Sequence, residues 1–218
     1  MVVKKMIYKD ELDKSRAKRD LIHEGEVLTA LGDHERLPMI VGVITSQEPL
    51  CLVTQFHGIN EKSVTLHEAA CTQMITPAEC MDLFVETCTA LKHVHSKGFL
   101  HNDIKANNVI LERNAECDKY VPVLIDFGKS TKASANLPLC VNRKRTHGKS
   151  YLAPEVLKNR HYSTASDIYS VARMLKAVSK IMGFYHRVRV LVEAATKEKP
   201  SLRPILDQLI DEISSIGF

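Results

Sequence analysis

Asp103, Lys105 and Asn108 crowd into one short polar stretch, His101-Asn102-Asp103-Ile104-Lys105-Ala106-Asn107-Asn108. Asp126-Phe127-Gly128 follows after a short hairpin-like segment, and Tyr151-Leu152-Ala153-Pro154-Glu155 comes later. A chain built around these segments has to bring a carboxylate, an ammonium and an amide from one loop to a carboxylate on a second. Those residue types suit phosphoryl transfer, where positioning and the neutralisation of charge do most of the work. The first loop supplies a base, a phosphate-binding cation and a metal-holding amide, and Asp126 supplies the main metal ligand. An exposed loop Asp is ordinarily a turn residue. The offsets of Lys105 and Asn108, and the apolar strand that precedes Asp126, weigh against that for Asp103.

The 218 residues suffice for one large domain or two modest lobes with a sizeable core. A net charge of +4 is too small to mark a nucleic-acid binder, and the densest basic run, Asn142-Arg143-Lys144-Arg145, is short and reads as a solvated loop. The six cysteines (Cys51, Cys71, Cys80, Cys88, Cys117, Cys140) show no paired metal spacing and read as free thiols in a reducing compartment. No segment reaches the roughly 20 apolar residues a membrane span needs, and no signal-length apolar run follows Met1-Val2-Val3-Lys4-Lys5. A soluble, cytoplasmic protein with no membrane and no nucleic-acid partner is the expectation, its oligomeric state unknown.

Along the chain, Val2 and Val3 begin a short strand, and a charged stretch from Lys9 to Asp20 leads into a helical pattern ending near Leu31. Leu21, Glu24, Leu28 and Leu31 share one helical face, so Glu24 sits in an apolar stripe and needs a partner, whereas Glu26 points elsewhere. Met39–Ile44 and Leu50–Phe56 read as strands about a polar turn. Thr76-Pro77-Ala78-Glu79 combines an N-cap, a proline at the first helical position and a capping-box Glu, opening a helix to about His95. Val109–Leu111 and Val121–Ile125 read as short strands around a Glu112–Tyr120 loop, and further helices cover about Ser166–Lys180 and Ile205–Ile213. His93 and His95 point to different faces of one helix without accompanying Cys or carboxylates, which argues against zinc.

In order and spacing, the catalytic-loop, Asp-Phe-Gly and Ala-Pro-Glu segments resemble those of the eukaryotic protein kinase catalytic domain, and the likeness covers nearly the whole chain. The resemblance implies an α+β, two-lobed fold, with residues 1–58 a partial β-rich N-terminal lobe lacking a glycine-rich loop. Residues 59–218 would hold the hinge-proximal segment and a mainly α-helical C-terminal lobe. It also implies ATP, Mg2+ and a protein substrate. Asp103 resembles the catalytic base and Lys105 the lysine of serine/threonine-directed kinases, while Asn108 and Asp126 match the metal ligands. Lys4 matches the strand lysine that pairs with the helix Glu, here Glu24, and touches the phosphates, with Lys5 a close rival. Thr54 falls at the gatekeeper position, Gln55 and His57 at the backbone contacts to adenine, and Ile110 joins the nucleotide-contacting set. Glu155 and Arg203 match a structural ion pair, Asp167 matches the Asp that anchors the catalytic loop from below, with a helix-cap role as its alternative, and His101 resembles a residue packed under Phe127.

The chain departs from the family pattern in several places. Asn102 replaces the usual Arg before the catalytic Asp. No glycine-rich loop occurs, as in an N-terminally truncated domain. Gly148 stands where a Thr ordinarily bonds the catalytic Asp and Lys, with Thr146 or Ser150 as stand-ins, and the stretch between the Ile168 helix and Arg203 is short. Three readings follow: a serine/threonine protein kinase, a kinase-fold pseudokinase acting as a binding module, and a small-molecule kinase of the aminoglycoside or choline type. The last usually lacks both the Lys105 equivalent and an Ala-Pro-Glu segment.

Overall fold

The first long helix starts where the charges start. Asp10 caps it, its side chain accepting from the Asp13 N–H at 2.8 Å, and Glu11 and Asp13 lie in the positive first turn of α1 (Glu11–Leu31). The charged stretch expected to precede the helix is thus its solvated half. Glu24 is buried on the opposite stripe with Leu21, Leu28 and Leu31, while Glu26 is exposed. The computed structural model describes residues 1–114, 118–134, 151–159 and 161–218.

β1 (Val2–Lys5), β3 (Cys51–Thr54) and β2 (Ile40–Ile44) form an antiparallel sheet in the order β1-β3-β2, with α1 packed on it. Gly25 makes that close approach possible, since a Cβ there would lie 2.6 Å from a Val43 methyl. The remainder is mostly helical. After β4 (Val64–Thr65) and α2 (Leu66–Cys71) comes α3 (Pro77–Ser96), opened by the expected box: Thr76 and Glu79 exchange side-chain to backbone hydrogen bonds at 3.2 and 2.8 Å.

β5 (Phe99–Leu100) pairs with β8 (Thr131–Lys132). β6 (Val109–Asn114) and β7 (Lys119–Leu124) make a hairpin longer than expected: Glu112 to Asn114 and Lys119 and Tyr120, read as loop, continue its ladder as far as Asn114↔Lys119. Backbone pairing overrides the polar side chains of that outer half. α4 (Pro154–Asn159), α5 (Thr164–Ile181), α6 (Tyr185–Ala195) and α7 (Leu206–Ser214) complete the helical part.

The main apolar core runs from Leu28 and Leu31 of α1 through Leu83, Phe84 and Leu91 of α3 to Val171 and Leu175 of α5, and Leu152, Ala153 and Val156 form a separate small cluster. Each such side chain contributes about 1.5–3 kcal/mol on burial. The architecture is α+β and two-lobed, a small sheet with one long helix beside a mainly helical part. Among the described residues no helix is long and apolar enough to cross a membrane. Cys117, Cys140, the basic run Asn142–Arg145, Thr146, Gly148 and Ser150 lie outside the described residues. Burial pushes the Cys80 and Cys88 thiols up to about 12, as suits inert core residues.

Candidate active site

Between the small sheet and the helical part opens a cleft of about 440 Å³, lined by Lys4, Glu24, Thr54, Gln55, His57, Asn108, Ile110 and Asp126. Every expected nucleotide-contacting and metal-holding residue is therefore on one wall or another of the same cavity. Leu52, Ile125 and Ile110 supply apolar surface. The chain turns away at Gly58, where a Cβ would sit 2.2 Å from the Lys62 carbonyl oxygen and no larger residue fits. His57, on the cleft side of that turn, reaches Glu112 on β6 with Nδ1 at 3.0 Å.

Alternation along β1 sends the two lysines to opposite sides. Both are exposed residues, but the Lys4 ammonium reaches the cleft, 2.7 Å from Glu24 Oε2 and 3.2 Å from Asp126 Oδ1. The buried Glu24 thereby has the partner its position demands. Burial acts to lower the Lys4 pKa, but the two carboxylates outweigh it and the net direction is up, so the ammonium stays charged.

Asp126 sits at φ 68° and Asn102 at φ 66°, left-handed conformations that Asp and Asn tolerate better than most side chains. Asp167 holds the first loop from below. Its Oδ2 accepts from the His101 N–H and its Oδ1 from the Asn102 N–H, both at 2.9 Å, and His95 Nε2 lies 2.9 Å from Oδ2. The cap position falls instead to Ser163, whose backbone N–H donates to Ser166 Oγ at 2.9 Å. His101 packs on Phe127 with ring centroids 4.8 Å apart, accepts from the Asp103 N–H at Nδ1 and bonds the Ile125 carbonyl through Nε2. Burial holds its pKa below the ordinary histidine value and so favours the neutral ring, and its two partners call for the proton on Nε2.

These anchors converge on Asp103, whose side chain is 1% exposed. Its Oδ2 takes the Lys105 ammonium at 3.0 Å, the Lys129 ammonium at 2.6 Å and the Asn108 amide nitrogen at 3.3 Å; its Oδ1 takes the Tyr151 hydroxyl at 2.8 Å. The same Asn108 nitrogen lies 3.5 Å from Asp126 Oδ2, so the two carboxylates are neighbours across one amide. Burial tends to raise the Asp103 pKa, yet the hydrogen bonds from Lys129, Tyr151 and Lys105 prevail and hold the carboxyl far below the usual range.

Lys129 and Tyr151 received no role from the sequence. Their contacts to Asp103 join residues far apart in the chain. Position was the only signal: Lys129 directly follows Asp-Phe-Gly, and Tyr151 opens the Ala-Pro-Glu segment.

Asp126 and the amide oxygen of Asn108 are hard oxygen donors, the type that suits magnesium held jointly with phosphate and water. Among the described residues no group of three or more His, Cys, Asp or Glu forms a cage able to hold a metal by itself. This donor set fits magnesium held together with a phosphate-bearing ligand, and the Lys4 ammonium lies 3.2 Å from Asp126 Oδ1. Lys4→Met should raise the ATP KM at least tenfold in steady-state kinetics while leaving the peptide KM within about threefold. An unchanged ATP KM would put the phosphates elsewhere.

Comparison with known proteins matches a model described as Protein kinase domain to residues 1–210. Spermatocyte protein spe-8 of Caenorhabditis briggsae is 32% identical over 161 residues, covering 72% of this chain and 28% of that protein. The serine/threonine-protein kinase Nek1 of Mus musculus is 34% identical over 97 residues, covering 44% of this chain and 8% of its own length. The serine/threonine-protein kinase shk2 of Schizosaccharomyces pombe is 30% identical over 134 residues, 59% of this chain and 21% of that protein. The chain thus spans a minor part of each of these relatives. The family match extends over nearly all of it, from the β1 lysine to the last helix, and the chain belongs to the protein kinase domain family.

Proposed function

We propose that this chain transfers the γ-phosphoryl group of ATP to serine and threonine hydroxyls of protein substrates, as one kinase-like domain. Residues 1–58 form its small-lobe part and 59–218 its hinge-proximal segment and large lobe. The observation that carries this reading is the single Asn108 amide shared by Asp103 and Asp126, with Lys105 on the same Asp103 oxygen. Base, cation and metal ligand are then within reach of one phosphoryl group. Lys105 and the relatives named as serine/threonine kinases favour alcohol acceptors over phenols.

Asp103 accepts the hydroxyl proton as the acceptor oxygen bonds phosphorus and the bond to the ADP oxygen breaks. Lys105 steadies the transferring group, while Lys4 orients the phosphates and is itself held by Glu24. Thr54, Gln55, His57 and Ile110 shape the adenine end of the cleft. Magnesium, when bound at Asp126 and Asn108, supplies charge that offsets the phosphates. The test is ATP turnover with a panel of serine and threonine peptides, with and without magnesium. Magnesium-dependent transfer is expected; no transfer to any peptide would favour the binding-module reading.

Control by loop phosphorylation should be weak. The Asn102 amide donates to the Lys129 carbonyl at 3.0 Å and to Thr131 Oγ1 at 2.9 Å, so this side chain ties down the segment after Asp-Phe-Gly without carrying charge. It lacks the guanidinium fork that pairs with a phosphate. Ser130 is fully buried and Ser134 is exposed, while Thr146 and Ser150 lie outside the described residues. Phosphatase treatment, with mass spectrometry confirming a bare loop, should lower peptide phosphorylation by less than tenfold, about 1.4 kcal/mol of activation free energy. A larger loss would overturn this.

A further inference from the structure

We infer that Tyr151 is a positioning residue for the catalytic carboxylate, its hydroxyl fixing Asp103 Oδ1 so that Oδ2 faces the reacting groups. The inference deepens the proposed function and rests on it. The two oxygens of Asp103 have separate company. Lys105, Lys129 and Asn108 all meet Oδ2, and through Asn108 that oxygen looks toward Asp126 and the cleft. Oδ1 is met by the Tyr151 hydroxyl at 2.8 Å. A carboxylate turns about a soft torsion, and a donor on the second oxygen adds to the restraint of the Oδ2 contacts and distinguishes the two oxygens.

Tyr151 is itself fixed at its other end. Its carbonyl accepts from Ser170 Oγ at 2.9 Å, and its ring packs with Leu152, Ala153 and Val156 in a small cluster with Tyr162 and Tyr169. The hydroxyl is thus held on the frame of α5, the same helix whose Asp167 anchors the catalytic loop backbone. One helix grips the loop from below and, through Tyr151, the base from the side. Burial, and then the hydrogen bond to Asp103, raise the Tyr151 pKa, so the phenol keeps its proton and remains a donor. Gly148, three residues earlier, has no hydroxyl to give.

The test measures kcat and both KM values for the full chain, Tyr151→Phe, Asp103→Asn and the double variant, with magnesium–ATP and a peptide that the unsubstituted chain phosphorylates. Tyr151→Phe should lower kcat about tenfold with both KM values within twofold. In the Asp103→Asn background the same change should matter less than twofold, because a residue acting through Asp103 has nothing left to position. A variant carrying para-aminophenylalanine at position 151 keeps a donor and should recover kcat to within about threefold, which also keeps the test decisive if Tyr151→Phe melts early. Equal kcat in Tyr151→Phe, a rise in kcat, or a full tenfold further loss in the double variant would overturn the positioning role alone. Absence of transfer by the unsubstituted chain would overturn the proposed function and this role with it.

Discussion

Asp103→Asn is expected to lower kcat about a hundredfold while ATP binding stays within about twofold. Two features set that size. Asp103 does not line the nucleotide cleft, and Asn108, which does, keeps its 2.9 Å bond to the Asp103 backbone carbonyl when the side chain is changed. Its pKa is held far below the usual range by Lys129, Tyr151 and Lys105 against the opposing effect of burial, so it is ionised at neutral pH but is a weak proton acceptor. General base catalysis is most effective when the pKa lies near the working pH. A strongly depressed carboxylate therefore contributes mainly by orienting the acceptor hydroxyl and accepting its proton late, which argues for the lower end of the usual hundredfold to ten-thousandfold range.

The substituted amide would also place N–H groups or a weak carbonyl dipole against two ammonium groups that now share Oδ2. Stopped reactions with a phosphorylated peptide readout would measure kcat, and nucleotide titration would measure binding. Retention of kcat within tenfold would mean that another group takes the proton. The depressed pKa also has a stability consequence. The stabilisation from the Asp103 contacts is fully present above the ordinary carboxylate value of about 4 and is lost only as pH falls through the much lower folded value.

Where a residue's task shows in its neighbours along the chain, the sequence was enough to read it. Glu24 stood out because a carboxylate broke an apolar stripe, and Lys4 answers it across the cleft. Thr76 and Glu79 announced a helix start through a reciprocal hydrogen-bond pattern that needs only four residues. α6 was missed for a local reason: His186-Arg187-Val188-Arg189-Val190 alternates like a strand and is rich in β-branched residues, yet Val188, Leu191, Val192 and Ala195 fall on one helical face that tertiary packing buries. α2 and α4 are single-turn-scale helices whose apolar pattern is too short to be periodic.

Lys129 and Tyr151 illustrate a different limit. The offsets of Lys105 and Asn108 from Asp103 are local and legible, whereas an ammonium and a phenol arriving from separate segments are set by the tertiary fold alone.

Arg203→Ala should destabilise the protein by about 3–5 kcal/mol, the cost of leaving a buried charge without its partner. The Arg203 side chain is fully buried and the Glu155 side chain is 11% exposed. Nη1 and Nη2 grip the two Glu155 oxygens at 2.6 and 2.8 Å. The remaining donors meet the carbonyls of Ala165 at 2.9 Å, Lys197 at 2.8 Å and Glu198 at 3.2 Å. The guanidinium also lies 4.9 Å over the Tyr169 ring. All five donors are spent, so Arg203→Lys, a point cation with no planar fork, should recover less than half of the loss. Against a typical total of about 5–15 kcal/mol the effect is large, and urea unfolding of the two variants would measure it.

Function should fall with stability, by a route visible in the contacts. The Ala165 carbonyl that Arg203 holds is two residues before Asp167, whose carboxylate carries the backbone of His101 and Asn102 and so sets Asp103 in place. Below its new melting temperature, Arg203→Ala should therefore still show a lower kcat than the unsubstituted chain. A loss of stability under about 1 kcal/mol would mean that the ion pair merely breaks even with solvation, as exposed pairs do.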